Sequence, residues 1–103
     1  MTYKEFVKNE MGYDTITTYW DDFSIADHFG KEAIIDTFKR ALFNTDYKMM
    51  TELSMVLNHK IWFHYKHDEA IAKIYNDLWE ECNKKIYETF NKEQLSYFYR
   101  ITD

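Results

Sequence analysis

An apolar stripe of helical period in the C-terminal half of the chain places the tightest limit on the fold. Its members recur mostly at spacings of three and four residues: Ile71, Ile74, Tyr75, Leu78, Cys82, Ile86 and Phe90. Asp68 precedes the stripe, at a position where its carboxylate can cap the first helical turn. The pattern predicts a long amphipathic helix that begins after Asp68.

A second long helix is predicted immediately before this one. Asp46 is a suitable N-cap residue, and the helical pattern ends near His67. The apolar positions recur along one side of this helix: Met50, Leu53, Leu57 and Ile61. Because the connection around His67 is short, the two long helices are expected to fold back on each other as an antiparallel hairpin, a common unit of helical bundles.

Shorter helices are predicted on both sides of the hairpin. The segment Lys31–Phe43 carries apolar residues at helical spacing, and one or two helical turns are expected between Trp20 and Gly30. Gly30 is a natural stop for the earlier of these helices. Asn91 with Gln94 forms a candidate capping box, which predicts a short C-terminal helix.

The N-terminus and the composition complete the fold prediction. Thr2 with Glu5 predicts a capped helix to about Asn9, followed by an irregular stretch from Gly12 to Thr18. The 103 residues include no proline and only two glycines, so the chain lacks the turn residues of a β-rich fold. One domain over residues 1–103 is expected, an all-α helical bundle of four to six helices built around the long hairpin.

The charge of the chain is concentrated in one segment. Residues 10–36 contain one base, Lys31, and seven acids: Glu10, Asp14, Asp21, Asp22, Asp27, Glu32 and Asp36. The other residues hold eleven acids and twelve bases, so this segment accounts for the net charge of −5. A localised negative field favours a basic partner. The alternative is a solvated face that keeps an aromatic-rich protein in solution.

Catalytic and metal sites are not expected from the residues present. Cys82 lies on the apolar stripe, where a cysteine behaves as a small hydrophobic residue. Asp21 and Asp22 are adjacent, so on a helix their side chains point in different directions. His64 and His67 share a helix face, but the hairpin places Cys82 far from both. The chain is therefore predicted not to be an enzyme and to need no cofactor or metal.

Direct nucleic-acid binding and membrane insertion are also not expected. Basic residues near the C-terminus alternate with acidic ones, and a chain with a sequence pI of about 5.3 lacks the cationic excess that phosphate contacts require. No apolar run approaches the roughly 20 residues needed to cross a bilayer. Residues 1–10 lack the apolar region of a signal peptide, and the single cysteine is compatible with a reducing compartment. A cytoplasmic location is predicted.

Three stretches carry a resemblance to known proteins: YWDDFSIADHFGKEAIIDTFKRALF, TELSMVLNHKIWFHY and LSYFYRITD. Together they resemble small proteins carried by phages, plasmids and conjugative elements of low-GC Gram-positive bacteria. Some small proteins of these mobile elements are type II anti-CRISPR proteins, and the chain is similar to them in size, acidity and lack of enzymatic motifs. That group is structurally heterogeneous, so the resemblance itself assigns no role to a numbered residue.

The resemblance implies a stoichiometric inhibitor of the host's RNA-guided type II CRISPR nuclease. Such a nuclease presents a positively charged heteroduplex channel and an arginine-based reader of the protospacer-adjacent motif. On this interpretation Trp20 is an aromatic anchor, and six carboxylates imitate nucleic-acid phosphates: Asp14, Asp21, Asp22, Asp27, Glu32 and Asp36. Blocking of guide RNA loading and blocking of target DNA binding both remain open.

Two other functions also remain open. The first is a regulatory module of a mobile element, either an antitoxin that binds a toxin or a transcriptional regulator that binds a DNA site. The second is a structural protein that forms homo-oligomers through exposed aromatic residues. The second follows from an aromatic content of 19%, which exceeds what a domain of this size can bury completely.

Overall fold

Helices account for the secondary structure of the chain in a computed structural model that describes residues 18–43 and 45–102. In these residues there is no strand, and there are five helices: α1 (Trp20–Phe29), α2 (Lys31–Phe43), α3 (Tyr47–His64), α4 (Glu69–Thr89) and α5 (Lys92–Thr102). The predicted all-α fold with four to six helices is confirmed. Across the described ranges, no helix has the length and apolar character needed to cross a membrane. The predicted helix at residues 2–9 and most of the irregular stretch after it lie outside the described residues.

Three helix starts are capped as the sequence predicts. The Asp46 carboxylate accepts a hydrogen bond from the Met49 N–H at 2.9 Å, and the Asp68 carboxylate accepts one from the Ile71 N–H at 3.1 Å. At the start of α5, the side chains of Asn91 and Gln94 each accept a hydrogen bond from the other residue's backbone N–H. These bonds satisfy N–H groups that lack an intrahelical partner. These three predicted caps are therefore confirmed.

A single residue, Gly30, joins α1 to α2. Its N–H donates to the Ala26 carbonyl, which ends α1, and its carbonyl accepts from the Ile34 N–H, which begins α2. The φ angle of Gly30 is +90°, a backbone conformation that residues with a side chain rarely adopt. Helix α1 is ten residues long, longer than the one or two turns predicted, whereas α2 has the predicted bounds.

Helices α3 and α4 form the predicted antiparallel hairpin. Helix α3 ends at His64, three residues before the predicted end, and a tight turn returns the chain to Asp68. Farther along the hairpin, the Ser54 hydroxyl donates to Asn83 Oδ1 at 2.6 Å. The Cys82 sulfur lies 3.8 Å from the Met50 carbonyl oxygen. Cys82 is fully buried, which confirms its predicted place in the core.

Helix α3 is the central element of the bundle. Its residues from Met50 to Leu57 are all buried, because α2, α4 and α5 pack against different sides of it. The buried surface of this helix is therefore wider than the single apolar stripe predicted for it. The largest apolar side chains that are fully buried come from the first four helices: Phe23, Ile34, Phe38, Leu53, Leu57, Tyr75 and Ile86. Burial of each such side chain stabilises the fold by roughly 1.5–3 kcal/mol.

Candidate functional site

Four of the predicted partner-binding acids lie exposed on the first two helices. Asp21 and Asp22 lie in the first turn of α1, Glu32 lies in the first turn of α2, and Asp36 follows one turn later. These four residues are referred to below as the acidic face. The positions of Asp21, Asp22 and Glu32 in first turns are locally favourable, since the helix dipole stabilises negative charge there. Asp14 lies outside the described residues.

A groove of about 270 Å³ between α1 and α2 brings part of the acidic face together with apolar side chains. Asp22 from α1 and Asp36 from α2 line it, with Ile25, Phe29 and Arg40. Ile25 is 57% exposed and Phe29 is 76% exposed. Because the exposed apolar side chains line the same groove as the two carboxylates, the groove combines hydrophobic surface with negative charge.

Arg40 is the cation that lies nearest to Asp36. Its Nε atom is 3.1 Å from Asp36 Oδ2, and both side chains are largely exposed. An exposed ion pair of this kind contributes only about 0.5 kcal/mol and is weakened by salt. A basic group on a partner can therefore replace Arg40 beside Asp36 at little cost.

Asp27 has a different environment from the acids of the acidic face. Its Oδ2 atom accepts a hydrogen bond from Lys60 Nζ at 2.8 Å and lies 3.0 Å from His64 Nε2. The Tyr75 hydroxyl donates to its other oxygen. These four residues, named here the polar centre, join α1 to α3 and α4. The Asp27 carboxylate is thus occupied by partners within the chain.

Trp20 also faces α3 rather than the acidic face. The ammonium of Lys60 lies 4.5 Å from the centroid of the Trp20 ring and 2.9 Å from the Ser24 hydroxyl. The lysine side chain is only 2% exposed. Its three N–H donors are therefore directed at a carboxylate, a hydroxyl and an aromatic face, which together replace the water lost on burial. Trp20 forms part of the enclosure of Lys60.

Tyr75 connects the polar centre to the backbone of α1. Its hydroxyl lies 3.1 Å from the Phe23 carbonyl oxygen as well as beside Asp27. The ring of His64 stacks on that of Tyr75, with an interplanar angle of 10°. Burial raises the pKa of Tyr75, and the adjacent Asp27 carboxylate raises it further, so the phenol stays protonated and donates.

The polar centre brings together side chains from three helices, α1, α3 and α4. An aspartate, a lysine, a histidine and a tyrosine in mutual contact are residue types that enzymes use. However, among the described residues, none of the four lines the α1–α2 groove. The network instead satisfies polar groups in the interior of the bundle.

Lys60 is the residue that sequence reasoning missed. It lies three residues after Leu57 and seven after Leu53, so it occupies a position on the predicted apolar stripe of α3. A charged residue on such a stripe indicates a buried partner. The partner is 33 residues away in the sequence. The stripe could therefore have identified Lys60, but no local pattern identifies Asp27 as the acid that it binds.

The residues considered as metal ligands or nucleophile are dispersed. His64 belongs to the polar centre, His67 lies in the exposed turn, and burial raises the pKa of Cys82 to about 12. Within the part of the chain that the structure describes, no group of three or more His, Cys, Asp or Glu side chains is arranged to hold a metal ion. Cys82 is a neutral thiol in the core.

Comparison with known proteins adds no assignment to these features. No protein-family model, curated protein or solved structure matches the chain.

Proposed function

We propose that the chain is a binding protein that inhibits an RNA-guided type II CRISPR nuclease, and that it binds through the acidic face. The four acids Asp21, Asp22, Glu32 and Asp36 would occupy a lysine- and arginine-lined surface that otherwise holds nucleic acid. Complementary charge of this kind accelerates association and makes binding sensitive to salt. The inhibition is stoichiometric, because the proposal involves no catalytic group.

One observation carries the proposal. Asp22 and Asp36 line the same groove as the exposed side chains of Ile25 and Phe29. A face that serves only to keep a protein in solution has no need of large exposed apolar side chains between its carboxylates. Protein interfaces, in contrast, combine an apolar centre with a polar rim. The α1–α2 groove has this composition.

The target would supply cations at defined positions. RNA-guided nucleases hold the guide–target duplex in a basic channel and read the protospacer-adjacent motif through arginines. An arginine of that kind can form a bidentate pair with a carboxylate and pack its aliphatic stem on an apolar neighbour. In the α1–α2 groove, the carboxylate of Asp22 or Asp36 would accept hydrogen bonds from the guanidinium of such an arginine, while Phe29 would contact its aliphatic stem.

The test is target cleavage by a purified type II nuclease, with the protein added either before or after the guide RNA. Inhibition only on early addition indicates competition with guide loading. Inhibition in either order indicates a block at DNA binding or later. Absence of inhibition across several such nucleases would contradict the proposal and direct attention to a toxin or a DNA site as the partner.

Charge reversal tests the face itself. The triple variant Asp22→Lys, Glu32→Lys and Asp36→Lys should lose inhibition and retain its helicity. The matched control reverses three exposed acids on α4, Glu80→Lys, Glu81→Lys and Glu88→Lys, which changes the net charge equally. Equal loss in both variants would show that only net charge matters. Reversal at Asp27 is unsuitable for this purpose, because it would break the polar centre and the fold.

A further inference from the structure

A second cavity lies between α3, α4 and α5, away from the acidic face. Its volume is about 370 Å³, within the range of small-molecule sites. The side chains of Ser54, Met55 and Phe98 are buried and form its floor, whereas those of Tyr87 and Tyr99 are exposed and lie at its rim. The cavity is therefore enclosed on the α3 side and accessible between the two tyrosines.

The described residues that line this cavity carry no formal charge. There are eleven of them, and none is a lysine, arginine, aspartate or glutamate. Burial lowers the pKa of His59 in the wall, so its ring is neutral at physiological pH. A cavity lined in this way favours a neutral ligand or the neutral part of a larger one.

Two asparagine amides in the wall have hydrogen-bonding capacity to offer. The Asn83 carbonyl oxygen accepts the hydrogen bond from Ser54, but its NH₂ group has no acceptor among the described residues. Across the same residues, the Asn58 amide makes no hydrogen bond at all. An amide presents a donor and an acceptor side by side, and this pair matches the N6 and N7 edge of adenine.

Aromatic rings complete the wall. Trp79 lines the cavity with Tyr87 and Tyr99, whose ring centroids are 6.4 Å apart. Aromatic side chains bind the flat faces of nucleobases by stacking, and they do so without requiring charge.

We infer that this cavity binds the purine base of an adenine nucleoside, with Asn58 and Asn83 at the edge of the base and Trp79 or the rim tyrosines against its face. The inference is independent of the proposed inhibition, since the cavity includes no residue of the acidic face. Among the described residues that line the cavity, there is no cation for a phosphate. Adenosine and AMP should therefore bind with affinities that agree within about twofold.

The first experiment is calorimetric titration of the full chain with adenosine, AMP and uridine. Adenosine should bind saturably with one site per chain and at least about tenfold more tightly than uridine, because one bidentate base contact is worth about that factor. Absence of saturable binding at millimolar adenosine would overturn the inference. Equal binding of uridine, or much tighter binding of AMP, would also overturn it.

The second experiment locates the site. Asn58→Ala should weaken adenosine binding at least about tenfold without lowering thermal stability, because the Asn58 amide makes no hydrogen bond within the described part of the chain. The matched control is Asn76→Ala, which removes an amide of α4 outside the cavity and should leave affinity unchanged. In NMR spectra, adenosine should shift the side-chain amide signals of Asn58 and Asn83 but not those of Asn76. Unchanged affinity in Asn58→Ala, or shifts confined to other residues, would refute the assignment.

Discussion

Two carboxylates that face the interior of the same bundle, Asp27 and Glu52, have opposite surroundings. Asp27, on α1, contacts the Lys60 ammonium, the Tyr75 hydroxyl and the His64 ring. Glu52, on α3, is 5% exposed and accepts one hydrogen bond at 2.8 Å, from the Thr18 N–H that precedes α1. No cation among the described residues lies within ion-pairing distance of Glu52.

The difference shows that partners, rather than burial alone, determine what a buried acid does for the fold. The lysine offsets the desolvation of Asp27, so the pair can join α1 to α3. Burial raises the pKa of Glu52 above its ordinary value of 4.5, and the hydrogen bond from the Thr18 N–H offsets this only in part. Asp27 therefore holds helices together as an ion pair, whereas burial of Glu52 disfavours its charged form.

Among the substitutions considered, removal of Lys60 should have the largest effect on the stability of the fold. Lys60→Met keeps the length of the side chain but leaves Asp27 without its cation, and the free energy of unfolding should fall by about 3–5 kcal/mol. Urea unfolding at pH 7 measures the change. A loss below about 1 kcal/mol would mean that the remaining partners or water compensate the carboxylate without Lys60.

Removal of the tyrosine hydroxyl should have the next largest effect. Tyr75→Phe keeps the buried ring and its stacking on His64, but it deletes the donor to Asp27 and should lower the free energy of unfolding by about 2 kcal/mol. Urea unfolding again provides the measurement, with Tyr65→Phe, at an exposed tyrosine of the hairpin turn, as the control. Equal effects in the two variants would assign no particular role to the buried hydroxyl.

Substitution of Glu52 should raise the free energy of unfolding, and the size of this gain should depend on pH. Because its pKa is raised in the folded state, the contribution of Glu52 to stability is present below pH 4.5 and is lost as the pH rises through the folded pKa. Glu52→Gln retains an acceptor for the Thr18 N–H and removes this loss. The variant should gain about 1 kcal/mol over the wild type as the pH rises from 4 to 7.

The measurement is the free energy of unfolding of both proteins across that pH range. Glu80→Gln, at an exposed acid of α4, is the control and should show no such divergence. A wild type that becomes more stable than Glu52→Gln with rising pH would show that Glu52 has a charge partner in the folded protein.

The smallest effect is expected at an exposed pair. Lys73 Nζ lies 3.1 Å from Asp77 Oδ2, one turn apart on α4, and both side chains are largely exposed. Asp77→Asn should change the free energy of unfolding by about 0.5 kcal/mol or less, and 1 M salt should abolish the difference. A loss comparable to that of Lys60→Met would contradict the claim that burial makes the Asp27 pair important.

The parts of the fold that were predicted correctly depend on local patterns. Asp46, Asp68 and the Asn91–Gln94 pair were identified as caps because a capping residue and its N–H partner lie within three residues of each other. The apolar stripe of α4 could also be predicted from the sequence, since one side of that helix packs on the bundle. Helix α3 was harder to predict, because it is buried on several sides and includes polar residues that a single stripe does not contain.

The candidate site was predicted less completely for the same physical reason. The sequence places its acids in one segment, but consecutive residues of a helix point about 100° apart. Asp22 consequently faces the α1–α2 groove, whereas Asp27 faces α3 and pairs with Lys60. That pairing depends on which helices pack together, and no spacing within residues 10–36 contains this information. The role of the four exposed acids in binding stays a prediction.

The shape of the α1–α2 groove depends on the number of residues that join the two helices at Gly30. A side chain at this position would meet no other atom within 4 Å, so space does not select glycine there, and the positive φ angle does. Because only one residue separates the helices, inserting a second would change the direction and the rotation of α2 relative to α1. Asp36 would then leave the groove that it shares with Asp22. A homologue with every acid retained but one extra residue at this joint would present a different surface, so the length of the joint is a better marker of shared binding than acidity.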